Sequence, residues 1–528
     1  MKAKRFVTFL VVVILIVTVL TSCSDSGSYT EGNATSSASE PKKGGVLKVA
    51  ITGEPPTLDS QYSTAYLASY ISWHIFEGLF TVDENYNPVP MLAKDYDFDD
   101  RNKTYTIHLR EGVKFHNGKT LTSDDVIASL NRWGKLSNYG RLLYKNVKEV
   151  KKTNDYTIQI VLKKASPLVP IMLAYPNQQA AIYPKEVVEE AGLNEIKQFI
   201  GTGPFRFVEW KHDQYIKLER YHGYKPADGP ANGMGGKKVA YLDEVVFIPT
   251  PEVSVRLDGV QTGQFDIAEQ VSTDMYAQIK ANNQIESVIT KPYWWPMAVF
   301  NKKRFPFNDK KVRQAFVLAL NMEPIMKAAF TSKEFYRLDP GILFQEQKQW
   351  WTDAGKEMYN QGNVEKAKKL LQESNYKGEK IRWLTSKEYD FMYKTALVAQ
   401  SQLKKVGFNI ELQVVDWATI VQKRSNPEEY EIFSGATTFT PDPGIWPCFD
   451  SNWPGFWINS KKDELVANMN TEMDPTKRKE VWNELQKFYW DELPMVKFGD
   501  FFSLNVKSKN VKGLKSSAFP FYWNVWKE

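Results

Sequence analysis

The sequence predicts an α/β protein, and three observations carry the prediction. From Ile381 the pattern runs strand (IRWLTS), long helix over 389–406, stop at Gly407, strand over 408–415, short helix, strand over 430–434. That is a βαβαβ unit with parallel strands. Earlier in the chain, a strand over 243–248, a helix over 252–261 and a strand over 265–268 suggest a second βαβ unit. The third observation is the stretch YEIFSGATTFTPDPGIWPCFDSNWPGFW, from Tyr430 to Trp457. It starts as a strand and breaks at Ser434 and Gly435, then carries Pro441, Pro443, Pro447 and Pro454 among Trp446, Trp453 and Trp457. Proline fixes φ and removes a backbone donor, so this segment can neither join a sheet nor stay helical. An open α/β sheet places ligands at loops leaving the carboxyl ends of its strands. The loop is therefore expected to form one wall of a ligand cleft. The plainer alternative is a surface loop whose tryptophans plug a domain edge.

At 528 residues the chain is too long for one core and should divide into two to four domains. A composition of 42 % hydrophobic and 25 % charged residues describes a folded globular protein. Sixteen Trp and 26 Tyr are many, and such rings line cavities for sugars, peptides and nucleobases alike. The net charge of +6 is small, and no block of five or six basic residues occurs, which argues against a nucleic-acid partner.

The N-terminus carries an address. Lys2, Lys4 and Arg5 precede an apolar run over 6–20, shorter than the roughly 20 residues of a membrane span but suited to a signal peptide. The run ends in Leu20-Thr21-Ser22-Cys23, which resembles a bacterial lipoprotein signal. That resemblance implies a leader over 1–22 and acylation (palmitate among the chains) of Cys23, leaving a membrane-anchored mature protein. Residues 24–44 hold almost no apolar mass, so 23–44 reads as a lipid-anchored flexible tether. The only other cysteine is Cys448; with Cys23 acylated no disulfide forms and Cys448 is expected to be a lone buried thiol.

Order begins at Gly45 with a strand over 46–51. Alternation of β-formers predicts strands over 103–110 and 155–162. Between them Thr122-Ser123-Asp124-Asp125 resembles a capping box opening a helix. Gly201-Thr202-Gly203-Pro204 turns into a strand over 205–210 that should pair with 215–220. Asn308 is expected to cap a helix whose stripe is Val312, Ala315, Phe316, Ala319 and Leu320. Asn363 should cap another, and Asp474-Pro475 opens a final long helix.

No catalytic motif surfaces. Among His74, His108, His116, His212 and His222 no pair sits four apart, so no helical zinc site is predicted. Gly118-Lys119-Thr120 lacks the first glycine of a phosphate loop, Val113 standing there. Gly201 and Gly203 lack the third glycine of a dinucleotide fingerprint, Arg206 standing there. No G-x-S-x-G elbow occurs. No cofactor and no metal is expected, and the balance favours binding over catalysis. A carboxylate pair from distant segments stays open, as a secreted glycan hydrolase would need.

Several segments together resemble the bacterial solute-binding proteins that serve ABC importers of oligopeptides, dipeptides and nickel (the family 5 type). They are GGVLKVA at 44–50 with PTLD at 56–59, FEGL at 76–79, YTIHLREGVKFHNG at 105–118 with LTSDDV at 121–126, GTGPF at 201–205, FN at 300–301, PFND at 306–309 and VRQA at 312–315. The resemblance implies a type II two-lobed periplasmic-binding-protein-like clamp with an additional lobe inserted in the N-terminal lobe. Lobe I would be 45–85 with 200–295 and 495–528, the extra lobe 86–199, and lobe II 296–494. It also implies a non-enzymatic, monomeric receptor that traps a small solute, an oligopeptide or in some relatives an oligosaccharide or metal chelate, for an ABC permease.

One departure matters. Peptide-binding relatives place an aspartate a few residues before an Asp-Pro pair, where it binds the peptide's free amine. Here Asp442-Pro443 is present, but 436–441 holds no acid and Phe439 stands near the expected spot. A buried ammonium without its carboxylate costs ~3–5 kcal/mol, a large part of the roughly 8 kcal/mol behind micromolar binding. Either Asp442 does that work or the ligand lacks a fixed ammonium. The expected cleft residues are Phe439, Asp442 and Trp446 on lobe II, Trp294 and Trp295 before the crossing to it, and Tyr62 and Tyr66 after the first turn. Each aromatic among them would serve equally well as core.

Overall fold

The computed structural model describes residues 40–528. The expected leader, Cys23 and the tether up to residue 39 lie outside the described residues. Residues 42–528 form one body.

Strand β1 (Val46–Ile51) lies between β2 (Glu244–Pro249) and β3 (Ile267–Val271), parallel to both. A parallel strand inside a covered sheet is mostly apolar, and Leu47, Val49, Ala50 and Ile51 are fully buried, while Lys48 reaches solvent. The hairpin Phe205–Lys211 with Tyr215–Arg220 extends the sheet beyond β2. On the other side, β3 pairs with a returning C-terminal strand, Asp500–Ser508, which runs antiparallel to it. This last strand in turn pairs with the first half of β4 (Ile285–Phe300), a strand of 16 residues.

The second half of β4 belongs to another sheet. Trp295–Phe300 pairs with the strand Ile432–Thr437, which is parallel to Ile381–Thr385, itself parallel to Ile410–Val414. In chain order these are β5 (Ile381–Thr385), β6 (Ile410–Val414) and β7 (Ile432–Thr437), with β8 the C-terminal Asp500–Ser508. The βαβαβ unit read from the sequence is thus present, its long helix α1 spanning Asp390–Lys404. Between Thr290 and Trp294 the register of β4 on β8 slips, around Pro292, which has no N–H to donate. One strand therefore serves two lobes, with its irregular step at the passage between them.

The extra lobe carries a four-stranded antiparallel sheet of Ala93–Asp99, Thr104–Leu109, Thr157–Leu162 and Val147–Asn154. The helix Ser123–Leu136 opens with the expected capping box of Thr122 and Asp125. The sequence HNG at 116–118 does structural work. The His116 backbone N–H donates to the Gly201 carbonyl at 2.9 Å, and its ring lies 3.0 Å from the Gly203 carbonyl and 3.2 Å from the Gly201 nitrogen. A Cβ on Gly201 would stand 2.0 Å from the Ile75 carbonyl oxygen, so only glycine lets these segments meet.

Two local expectations change. The helix Lys310–Leu318 is capped by Asp309, whose carboxylate accepts the Lys311 N–H at 2.8 Å, and not by Asn308. The strand expected over 265–268 lies instead over Ile267–Val271, because Phe265 turns inward against Gly259 of the preceding helix.

Candidate functional site

β7 delivers the loop that the sequence singles out. Its first four residues are buried, and Ser434 Oγ accepts a hydrogen bond from Trp383 Nε1 of β5 at 2.9 Å. Past Thr437 the prolines withdraw their donors, and the loop folds into two single turns, Pro443–Ile445 and Pro447–Phe449. Asp442 caps the first: its Oδ1 accepts the Gly444 N–H at 2.9 Å. The same oxygen lies 3.0 Å from Arg478 Nη2, and both side chains are buried. Arg478 Nε also donates to the Met469 carbonyl. Asp442 thus ties the loop to the two following helices.

Phe439 occupies the seam between lobes. Its ring centroid lies 4.7 Å from Tyr86, 5.1 Å from Phe519 and 6.5 Å from Tyr175. Its carbonyl accepts the Tyr175 hydroxyl at 2.9 Å, and Tyr86 Oη accepts the Ala518 N–H at 3.0 Å. A loop of lobe II is therefore clasped by the extra lobe and by the C-terminal segment through aromatic edges. A small cavity of about 80 Å3 sits beside it, lined by Tyr86, Ile171, Trp350 and Pro441.

Trp446 is core on one side and wall on the other. Its ring packs on Phe449 and Trp295, and Nε1 donates to Thr437 Oγ1 at 3.1 Å. Its free edge lines a groove of about 780 Å3 between this loop and the extra lobe, together with Tyr139, Leu142, Met172 and Asn470. Ser166 Oγ bridges the same boundary by donating to the Asn470 carbonyl at 2.8 Å. Trp295 is fully buried, its Nε1 given to the Ile342 carbonyl at 3.1 Å. Trp294 is partly buried and stacks on Tyr293 at 4.7 Å. Tyr66 stacks on Tyr70 at 5.8 Å, and Tyr62 stands 51 % exposed. Phe439 and Trp446 thus face the extra lobe at separate points with Trp295 packed behind Trp446, Tyr66 and Trp294 (through Tyr293) join a second group described next, and Tyr62 joins neither.

That second group has at its centre a residue absent from the expected set, Glu269 on β3. It is 5 % exposed and surrounded by tyrosines. The Tyr522 hydroxyl donates to its Oε1 at 3.4 Å, and Tyr70 bonds both the carboxylate and Tyr522. Burial pushes its carboxyl up to about 7, against the pull of those hydroxyls and of Arg256. Burial together with Glu269 likewise raises the hydroxyl pKa values of Tyr66, Tyr70 and Tyr522. The signal available in the sequence was an acid set inside the strand run IAEQV, where an apolar residue would be the rule.

Neither group resembles a metal centre: among the described residues no three His, Cys, Asp or Glu side chains converge. Cys448 is buried and free, and burial drives its thiol pKa upward, away from reactivity. Among the described residues no helix is long and apolar enough to cross a membrane.

Two α/β lobes sharing the long strand β4, with an inserted third lobe and an aromatic seam between them, define a two-lobed solute-binding clamp of type II. The chain belongs to the bacterial extracellular solute-binding proteins, family 5, whose middle region matches residues 87–455. It is 28 % identical over 500 residues to a probable peptide ABC transporter periplasmic-binding protein of Sinorhizobium fredii, covering 89 % of this chain and 91 % of that one. In structure it is similar to the ABC transporter substrate-binding protein CtaP of Listeria monocytogenes, with a TM-score of 0.79 at 22 % identity, over 92 % of this chain and 100 % of that one. It is also similar to the oligopeptide-binding protein AppA of Bacillus subtilis, solved with a nonapeptide, with a TM-score of 0.72 at 24 % identity, over 93 % and 100 %. Family membership places the protein outside the cytoplasm.

Proposed function

We propose that this protein is the receptor of an ABC importer, closing its lobes over a peptide-like solute and presenting it to a membrane permease. The observation that carries the reading is the seam at Phe439, where aromatic side chains from separate lobes meet without a covalent tie other than the crossing strands. Such a contact forms on closure and parts on opening, and a solute favours the closed form by binding it more tightly than the open one. The peptide class is supported by the names of the relatives above and by the nonapeptide held in one of them. We take the lobes to be 45–85 with 200–295 and 495–528, 86–199, and 296–494, and assign Phe439, Trp446, Trp294 and Tyr66 as the contacts. We extend the proposal to the N-terminus: Cys23, acylated after removal of 1–22, anchors a monomer at the outer face of the membrane. No bond of the solute is made or broken.

The test is native mass spectrometry of protein purified from its own cell. A mass excess that disappears on denaturation and fragments as peptide is expected. Bare polypeptide that also takes up nothing from a mixture of random peptides would sink the reading, and so would chemical turnover of the bound molecule. For the anchor, a Cys23→Ala variant should leave the membrane fraction.

A further inference from the structure

Lobe II lacks an acid at Phe439, and lobe I holds one with no direct ion-pair partner. Every other buried carboxylate among the described residues has a Lys or Arg nitrogen within 4.0 Å, as in Asp59 with Arg132, Glu77 with Lys238, Asp442 with Arg478 and Asp500 with Lys497. Glu269 has none. Arg256 acts on it only at a distance, because its guanidinium N–H groups point at carbonyls, those of Glu269 (2.8 Å), Thr250 and Pro251 (2.7 Å each) and Gln270 (3.0 Å), and make no direct ion pair with the carboxylate.

The backbone around Glu269 is shaped for it. Between Ala268 and Val271 the pairing of β3 with β8 slips, and Gln270 takes a φ of +49°, held there by its N–H bond to Asn505 Oδ1 at 2.8 Å. Such a bulge re-aims one side chain relative to a regular strand. Glu269 is turned into the ring of Tyr66, Tyr70, Tyr293 and Tyr522. Tyr293 packs edge-on against Phe501 at 5.6 Å, and Phe501 in turn lies 5.0 Å from Phe391 in the first turn of α1 on lobe II. The carboxylate therefore sits on the lobe I side of the boundary that closes over a solute.

A buried charge without a partner is expensive to keep, and cations are also attracted to the faces of tyrosine rings. We infer that Glu269 is the receptor for a primary ammonium group of the solute, taking up on lobe I the task left vacant at Phe439. This inference rests on the clamp reading above. The ammonium has two sources in a peptide, its N-terminus and a lysine side chain.

The experiment exposes cargo-free protein to a mixture of random tetrapeptides in three forms: unmodified, acetylated at the N-terminus only, and acetylated at N-terminus and lysine. Capture is read by native mass spectrometry. The wild type should take up unmodified peptides and reject the doubly blocked ones, with the singly blocked set assigning the source. Glu269→Gln, which keeps the shape, should lower capture of unmodified peptides about thirtyfold or more, while Glu269→Asp keeps the preference for a free amine. Uptake of doubly blocked peptides as well as unmodified ones by the wild type overturns the inference and leaves the clamp standing, as does a Glu269→Gln protein that captures normally. Uptake of no peptide in any form overturns the clamp reading and this inference with it. Should Glu269→Gln fail to fold by circular dichroism, the wild-type comparison alone decides.

Discussion

The solitary carboxylate makes a prediction about stability that needs no ligand. Glu269 is raised from an ordinary 4.5 to about 7 by burial, so the folded chain holds a proton there that the unfolded chain releases. Between pH 4.5 and 7 the native state thus binds more protons than the unfolded state, and stability falls as pH rises through that window. Above pH 7 the full cost stands. At 1.36 kcal/mol per pH unit it comes to about 3 kcal/mol. The raw pH profile is confounded, because His74 and His116 are depressed by burial to about 3 and about 4. Their contribution runs the other way, weakening the protein as pH falls below 6.5 and recovering as it rises. Comparison with Glu269→Gln removes them. The groups facing Glu269, namely Tyr66, Tyr70, Tyr293, Tyr522 and Arg256, keep their charge states from pH 4.5 to 8 in both proteins. Urea unfolding of cargo-free wild type and variant at pH 4.5, 6, 7 and 8 should show the variant gaining on the wild type by about 3 kcal/mol across the series. A gap that stays constant within about 0.5 kcal/mol would refute the reasoning, since it would mean that the carboxylate is already compensated.

Other outcomes follow from the same contacts. Arg478→Met leaves Asp442 buried beside no cation and should cost ~3–5 kcal/mol, read as a lower urea midpoint; an unchanged midpoint would show that the pair does not hold the loop. Trp446→Ala removes a ring that is both packed and groove-lining, so stability should fall by ~3–5 kcal/mol and solute retention should be lost; intact retention would move the site elsewhere. Phe439→Ala strips the seam of a buried ring worth about 1.5–3 kcal/mol, and small-angle scattering of the unliganded protein should report a larger radius than the wild type. Gly201→Ala drives a methyl group against the Ile75 carbonyl and should abolish accumulation of folded protein. Gly53→Ala meets nothing within 4 Å and serves as its control.

Periodicity and turn chemistry are local, and what they report is legible in the sequence. The strands Val46–Ile51 and Ile381–Thr385, the capping box at Thr122 and the break after Gly435 all lie in runs of a few residues whose neighbours set their conformation. The family motifs were legible for the same reason, since segments such as YTIHLREGVKFHNG carry their own turn and strand signals. Even the vacancy at Phe439 could be read, because an absent charge is visible in letters. Its partner could not: Glu269 and Phe439 are separated along the chain, and the bulge that buries the acid is made by Asn505 on a strand entering from the C-terminus. The partnering of Asp442 was equally hidden, because Arg478 reaches it only once the helix Pro475–Glu492 packs on the loop. Composition and spacing determined that this is an α/β chain with a rigid aromatic loop at a sheet edge. Which of its acids are neutralised, and which one is left facing the boundary between lobes, was decided by the folded arrangement alone, because charge pairing depends on distances that only long-range packing sets.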